Sequence, residues 1–196
     1  LVLAWQRGFG PGKILGPSGE LAAKWRFERR GEARFGTHRQ MELADGAMLV
    51  HGADRTVLDG CKKTDQLSIE TMLVTARVPQ SGPAMIISFS TDPYHRNFTL
   101  GQESDRLLFR LRTSQTGPNG MNPQTELCRI TAGRPYHLIV SYRPGLLVCY
   151  LDGRTVCRSD AVEGDFSNWT AQHLLFGDEW QDSRDWEGSL ERVAIF

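Results

Sequence analysis

After residue 65, apolar and polar side chains alternate in short runs broken by glycine, proline, asparagine and aspartate. The runs are QLSIETMLV, AMIISFS, NFTLG, RLLFRLRT, PYHLIVSY, LLVCYLDG, RTVCRS, HLLFGD and LERVAIF. Period-two alternation sends successive side chains to opposite faces of a strand. Runs rich in β-branched and aromatic residues, bounded by turn formers, read as strands. Asp152-Gly153 in YLDGRTV predicts a tight hairpin. TGPNGMNP, residues 116–123, carries two prolines, two glycines and two asparagines, and predicts a loop of several turns. The gaps between strands are too short for crossover helices, which favours antiparallel pairing. The pattern therefore predicts an all-β sandwich or barrel of about a dozen strands.

The first 65 residues are more mixed. LVLAWQ, AAKWRFE, ARFG and GAMLVHG are strand candidates. GADRTVLDGCKKTD predicts one short helix near residues 54–62, with Asp54 as its N-cap and Val57, Leu58 and Cys61 on one face. Without a linker, an internal repeat or a low-complexity tract, residues 1–196 read as a single domain. The apolar start and strand-like finish suggest a domain excised from a larger protein.

Composition narrows the function. Lysine plus arginine balances aspartate plus glutamate at 23 each, so no strong field draws the chain to nucleic acid. The apolar runs are strand-sized, well short of the ~20 residues that a membrane-spanning helix needs. The four cysteines, Cys61, Cys128, Cys149 and Cys157, form no C-x-x-C pair. A two-residue Asp152-Gly153 loop pairs Leu151 with Arg154 and Cys149 with Val156, which sets Cys149 and Cys157 on opposite faces and leaves them unbonded.

One face stands out. Phe98 and Leu100 alternate with Asn97 and Thr99, while Phe109 and Leu111 alternate with Arg110 and Arg112. If the apolar set fills the core, Asn97, Arg110 and Arg112 share an outward surface. Guanidinium forks suit carboxylates, sulfates or paired hydroxyls. The alternative is a solvated face whose arginines pair with acids such as Glu70. Trp180, in the polar GDEWQDSRD run, is expected at a loop tip as a stacking platform or a cover for the end of the sandwich, with Tyr94 lining the same rim. Asp178, Glu179 and Asp182 in that run could supply oxygens to calcium, although their spacing fits no EF-hand. The tripeptides Asn97-Phe98-Thr99 and Asn168-Trp169-Thr170 have the glycosylation spacing, which also arises by chance.

Several stretches, in order, carry a resemblance: LSIETMLV, IISFS…RNFTLGQ…LLFRLRT, PYHLIVSYRPGLLVCYLDGRTV and LLFGD…WEGSLERVAIF. The Y-x-D-G hairpin at Tyr150–Gly153 and G-x-L-E-x-V-x-I-F at 188–196 are its main marks. Nearly the whole chain resembles a laminin-G-like domain of the concanavalin A-like lectin/glucanase superfamily, in a bacterial branch appended to larger, often exported proteins. The resemblance implies an antiparallel two-sheet jelly roll with a concave face, no catalysis, and a glycan or protein partner. It also implies a site outside the cytoplasm and, in some members, calcium; Glu191 falls at a position often acidic there, and Trp186 at one usually filled by a core aromatic. The glucanase branch carries an E-x-D-x-x-E strand, and no strand here has one. The leading expectation is a non-catalytic carbohydrate-binding module acting at the concave face or its rim. The alternatives are a structural or protein-interaction domain and, third, a glycan-cleaving enzyme.

Overall fold

A computed structural model describes residues 2–7, 14, 16, 25–181 and 184–196. The alternating runs form strands where expected. In chain order the elements are β1 (Leu3–Gln6), β2 (Arg26–Gly31), β3 (Arg34–Phe35), β4 (Met41–Leu43), β5 (Gly46–His51) and the helix α1 (Asp54–Thr64). Then come β6 (Leu67–Thr75), β7 (Gln80–Asp92), β8 (His95–Ser104), β9 (Arg106–Leu111) and β10 (Thr125–Arg129). The chain finishes with β11 (Pro135–Arg143), β12 (Leu146–Leu151), β13 (Arg154–Ser159), β14 (His173–Phe176) and β15 (Gly188–Ile195). Strands β4 and β10 lie outside the expected runs. The helix begins after Ala53 as N-cap rather than with Asp54, which sits in the first turn, and no side chain caps it. Val57, Leu58 and Cys61 are its buried face, as the spacing requires.

The strands build two antiparallel sheets. One has the order β13-β12-β11-β6-β15-β4-β3, with β1 also paired to β15; the other has seven strands in the order β10-β9-β8-β7-β14-β5-β2. Along one edge β15 meets β4 through Gly188–Leu190 and β1 through Arg192–Ile195. Sheets joined face to face bury one side of each strand. Strand β6 shows this plainly: Leu67, Ile69, Thr71, Leu73 and Thr75 are buried, and the residues between them are half-buried. Aromatic rings close the core at both ends. Trp5, Phe27, Phe35 and Phe176 pack at one, and Phe89, Phe98, Phe109, Phe166 and Trp169 at the other. Trp186 lies fully inside, its Nε1 donating to Gln102 Oε1 at 2.9 Å.

The cysteine hairpin departs from expectation. Leu151 does pair with Arg154 across Asp152-Gly153. A bulge then shifts the register, so that Cys149 opposes Cys157 instead of Val156. The inserted residue is taken up by Val156, which points outward and is exposed. All four cysteines are free thiols.

Candidate functional site

The outer face of the seven-stranded sheet can be followed as one row. Arg110 on β9 pairs with Thr99 on β8, Thr99 with Ser88 on β7, Ser88 with Leu175 on β14, Leu175 with Leu49 on β5, and Leu49 with Glu28 on β2. The row is polar at one end and apolar in the middle. It is not bare. After Gly177 the chain turns back over it, and Ser88 Oγ donates to the Asp178 carbonyl at 2.8 Å. Both carboxylate oxygens of Glu179 accept from Arg96, with Nη2 to Oε2 at 2.7 Å. The two side chains are 0–1% exposed. Trp180 covers the apolar patch of Ala47, Leu49 and Leu175. Its ring stacks on His173, with centroids 3.7 Å apart, and the Arg30 guanidinium lies 4.4 Å from it. The strap closes where Trp186 N donates to the Gly177 carbonyl at 2.8 Å.

Several expectations change here. Trp180 is no free loop tip, because His173 and Arg30 already occupy its ring. Asn97 and Arg110 do not face solvent: they are 0% and 5% exposed. A bulge at Asn97 turns its amide toward the Thr170 carbonyl, 2.7 Å away. Arg110 Nε donates to Gln124 Oε1 at 2.7 Å. Burial, helped by Arg96 and Arg184 and opposed by Glu179 and Glu103, brings the Arg110 guanidinium down to about 10. Arg112 is only half-buried, and burial lowers its pKa too. Among the described residues Asn97 Oδ1, Arg110 Nη1, Arg112 Nε and Ser90 Oγ have no hydrogen-bond partner. Buried polar atoms of this kind are ordinarily completed by ordered water. Glu70 is on the other sheet, bonded to His137 and Arg192, and does not reach these arginines.

The acidic candidates do not assemble. Glu179 is spent on Arg96, and Asp178 Oδ1 accepts from the backbone N–H groups of Glu179 and Arg184. Glu191 lies on the opposite sheet, paired with Arg7 at 3.2 Å. Asp182 falls outside the described residues. Among the described residues, no cluster of three or more His, Cys, Asp or Glu could hold a metal ion. The Nδ2 groups of Asn97 and Asn168 both donate to backbone carbonyls, so neither amide is presented for glycosylation.

At one rim of the seven-stranded sheet β5, β7 and β9 end and β2, β8, β10 and β14 begin. Tyr94 stands on the β7–β8 turn, 73% exposed, on a backbone fixed by Asp92 Oδ1 accepting from its N–H at 2.7 Å. At the same end of the sheet a groove of about 230 Å³ is lined by Leu49, Val50, His51, Gly52, Asp54, Ala171, Gln172 and His173. Gln172 Oε1 accepts from Asn97 N at 2.8 Å, which ties the groove to the start of β8. Burial holds the His173 imidazole below its ordinary range; Asp54 opposes this, and Arg30 and His51 reinforce it. Sequence reasoning set Tyr94 at a rim with Trp180, and Asn97, Arg110 and Arg112 on the sheet face, and it missed His51, Asp54, Gln172 and His173. Those four come from two separate segments, 51–54 and 172–173, and only the sheet order brings them together.

A two-sheet antiparallel sandwich with one short helix has the concanavalin A-like architecture. The chain belongs to the Laminin_G_3 family of the concanavalin A-like lectin/glucanases superfamily, whose model matches residues 50–196. No curated protein matches it by sequence. Among solved structures it is similar to domain 4 of AbnA, an extracellular arabinanase of family GH43 from Geobacillus stearothermophilus, solved with arabinotriose. That match has a TM-score of 0.62 and 14% identity, and covers 100% of this chain and 91% of that one. It is also similar to the botulinum neurotoxin serotype C1 binding domain, with a TM-score of 0.69, 14% identity, and coverage of 100% and 48%. The binding domain of botulinum neurotoxin DC in complex with rat synaptotagmin II matches with a TM-score of 0.61, 12% identity, and coverage of 99% and 47%. The chain thus spans about half the length of the neurotoxin chains. At these identities the likeness is one of fold.

Proposed function

We propose that residues 1–196 form a single, non-catalytic domain that binds carbohydrate at this rim and works outside the cytoplasm as one part of a longer protein. The observation that carries the reading is the groove lined by residues 49–54 and 171–173. A sugar ring offers an apolar face and a fringe of hydroxyls, and needs directional polar groups beside apolar surface. Leu49 and Val50 supply the apolar lining, while His51, Asp54, Gln172 and His173 supply donors and acceptors. Of the arginines expected to hold an acidic glycan, Arg112 is the half-buried one and Arg110 is buried. The fold relatives lend support: one was solved with arabinotriose, and another is described as depending on two ganglioside molecules for cell entry. Glycoside cleavage is the least supported reading, because it uses two facing carboxylates and Asp54 is the one carboxylate among the described residues lining the groove.

A glycan array tests the proposal. At least one glycan class should bind, and Asp54→Ala or His173→Ala should each weaken it about tenfold, the usual loss for a hydrogen bond to a charged or polar anchor. A blank array, or binding indifferent to both changes, would overturn it. The second reading is a protein partner. It is favoured by the filled centre of the outer face, which leaves no long sheet groove for a polysaccharide. A protein ligand lost on Tyr94→Ala, together with a blank array, would establish that reading instead.

A further inference from the structure

Two residues belong both to the groove and to the strap that crosses the sheet. Leu49 and His173 line the groove. Leu49 is also in the apolar patch that Trp180 covers, and the His173 imidazole stacks on the Trp180 indole, with centroids 3.7 Å apart and planes 20° from parallel. Trp180 is not itself among the residues that line the groove. It stands behind them and is held from elsewhere. The Arg30 guanidinium on β2 lies 4.4 Å from the indole centroid. Glu179, the preceding residue, is locked in the buried pair with Arg96 on β8. Asp178 Oδ1 accepts from the N–H groups of Glu179 and Arg184 at 2.7 and 2.9 Å, which ties the backbone before the indole to the backbone after it.

We propose that Trp180 is a positioning residue for the groove: it holds the His173 ring in one orientation from behind, so that the strap sets the groove's affinity through this contact. The inference rests on the carbohydrate reading of the groove. A free imidazole turns about two side-chain torsions, and a ligand that must stop that motion loses affinity. A ring already stacked on an indole has less motion to lose, a gain of roughly three- to tenfold in affinity. With one face covered, His173 offers the groove its other face and its edge. There one ring nitrogen can donate to a sugar hydroxyl while the other accepts. That pairing needs the uncharged ring. The charged or titratable groups that bear on it are Asp54 on α1, His51 on β5 and Arg30 on β2. Burial, to which the stacked indole contributes, holds the imidazole below its ordinary range; Arg30 and His51 act in the same direction and Asp54 against it.

The test reads the ring and the binding separately. In the unaltered protein, where folding is not in question, NMR should show cross-relaxation between the ring protons of His173 and Trp180. Trp180→Ala should raise the His173 titration midpoint toward the ordinary imidazole range and weaken binding on a glycan array about three- to tenfold. Trp180→Phe keeps an aromatic face and should leave the titration and the array signal as they are. Absent cross-relaxation, a His173 midpoint indifferent to Trp180→Ala, or undiminished glycan binding by Trp180→Ala would overturn the proposal. A blank array for the unaltered protein would instead sink the carbohydrate reading, and the His173 titration would still show whether Trp180 holds the ring.

Discussion

Asp178 carries its charge under protest. Burial lifts its pKa from 3.8 to about 6, and the neighbouring Asp185 adds to the rise, although the backbone N–H groups of Glu179 and Arg184 and the Arg30 charge pull it down. A folded-state pKa above the unfolded value means that the native protein holds the proton more tightly. Stability from this group is therefore full below about pH 4 and falls as pH rises through about 6. Both backbone bonds go to Oδ1, which asparagine retains. Asp178→Asn should thus leave unfolding unchanged near pH 3.5 and stabilise the domain at pH 7.5 by about 1–2 kcal/mol, after discounting for partial exposure. Denaturant unfolding at the two pH values checks this; equal effects at both would contradict it. From sequence Asp178 was one of three acids in a polar run that could supply oxygens to calcium. Burial of a carboxylate by a strap depends on where the strap lands, and no local pattern reports that.

At the scale of elements, the strap that begins at Gly177 is an irregular segment held like a strand. Its anchor is the buried pair of Arg96 and Glu179, joined across 83 residues of chain. Removing one member of a buried pair strands the other charge and costs about 3–5 kcal/mol, whereas replacing both with apolar residues is nearly neutral. Arg96→Met alone should be strongly destabilising, and Arg96→Met with Glu179→Leu should recover most of the loss. Unfolding free energies of the two single changes and the double change form the cycle; a double variant no more stable than Arg96→Met would argue against the anchor. The strands were largely legible because burial on one face writes itself as alternation, as in LSIETMLV. Strands β4 and β10 were not, since three-residue MEL and the charged TELCR are too short or too polar to show a period. The bulges at Asn97 and Val156 were invisible for a related reason: each adds one residue to one strand only, and the strand still reads as alternating up to the slip.

At the scale of the whole molecule, an all-β sandwich or barrel followed from strand count and spacing, and the two-sheet jelly roll from the resemblance; the order of strands within each sheet was not legible. The rim site was half legible. Tyr94 announced itself as an aromatic in a turn, while His51 and His173 became neighbours only once β5 and β14 paired. The pairing of the first and last strands has a mechanical consequence. Leu3 lies opposite Ile195 and Gln6 opposite Arg192, so the outer ends of both strands sit at the same end of the pair. Tension applied between residues 2 and 196 therefore loads the hydrogen bonds one after another, like a zip fastener, and β1 should peel away at low force. Tension between Arg7 and Ile195 loads the same bonds together in shear and should meet a higher rupture force. Optical-tweezer traces with handles at these two pairs of positions would tell them apart. The β1 contact would then act as a fuse, yielding to a pull between those ends before the sandwich gives way.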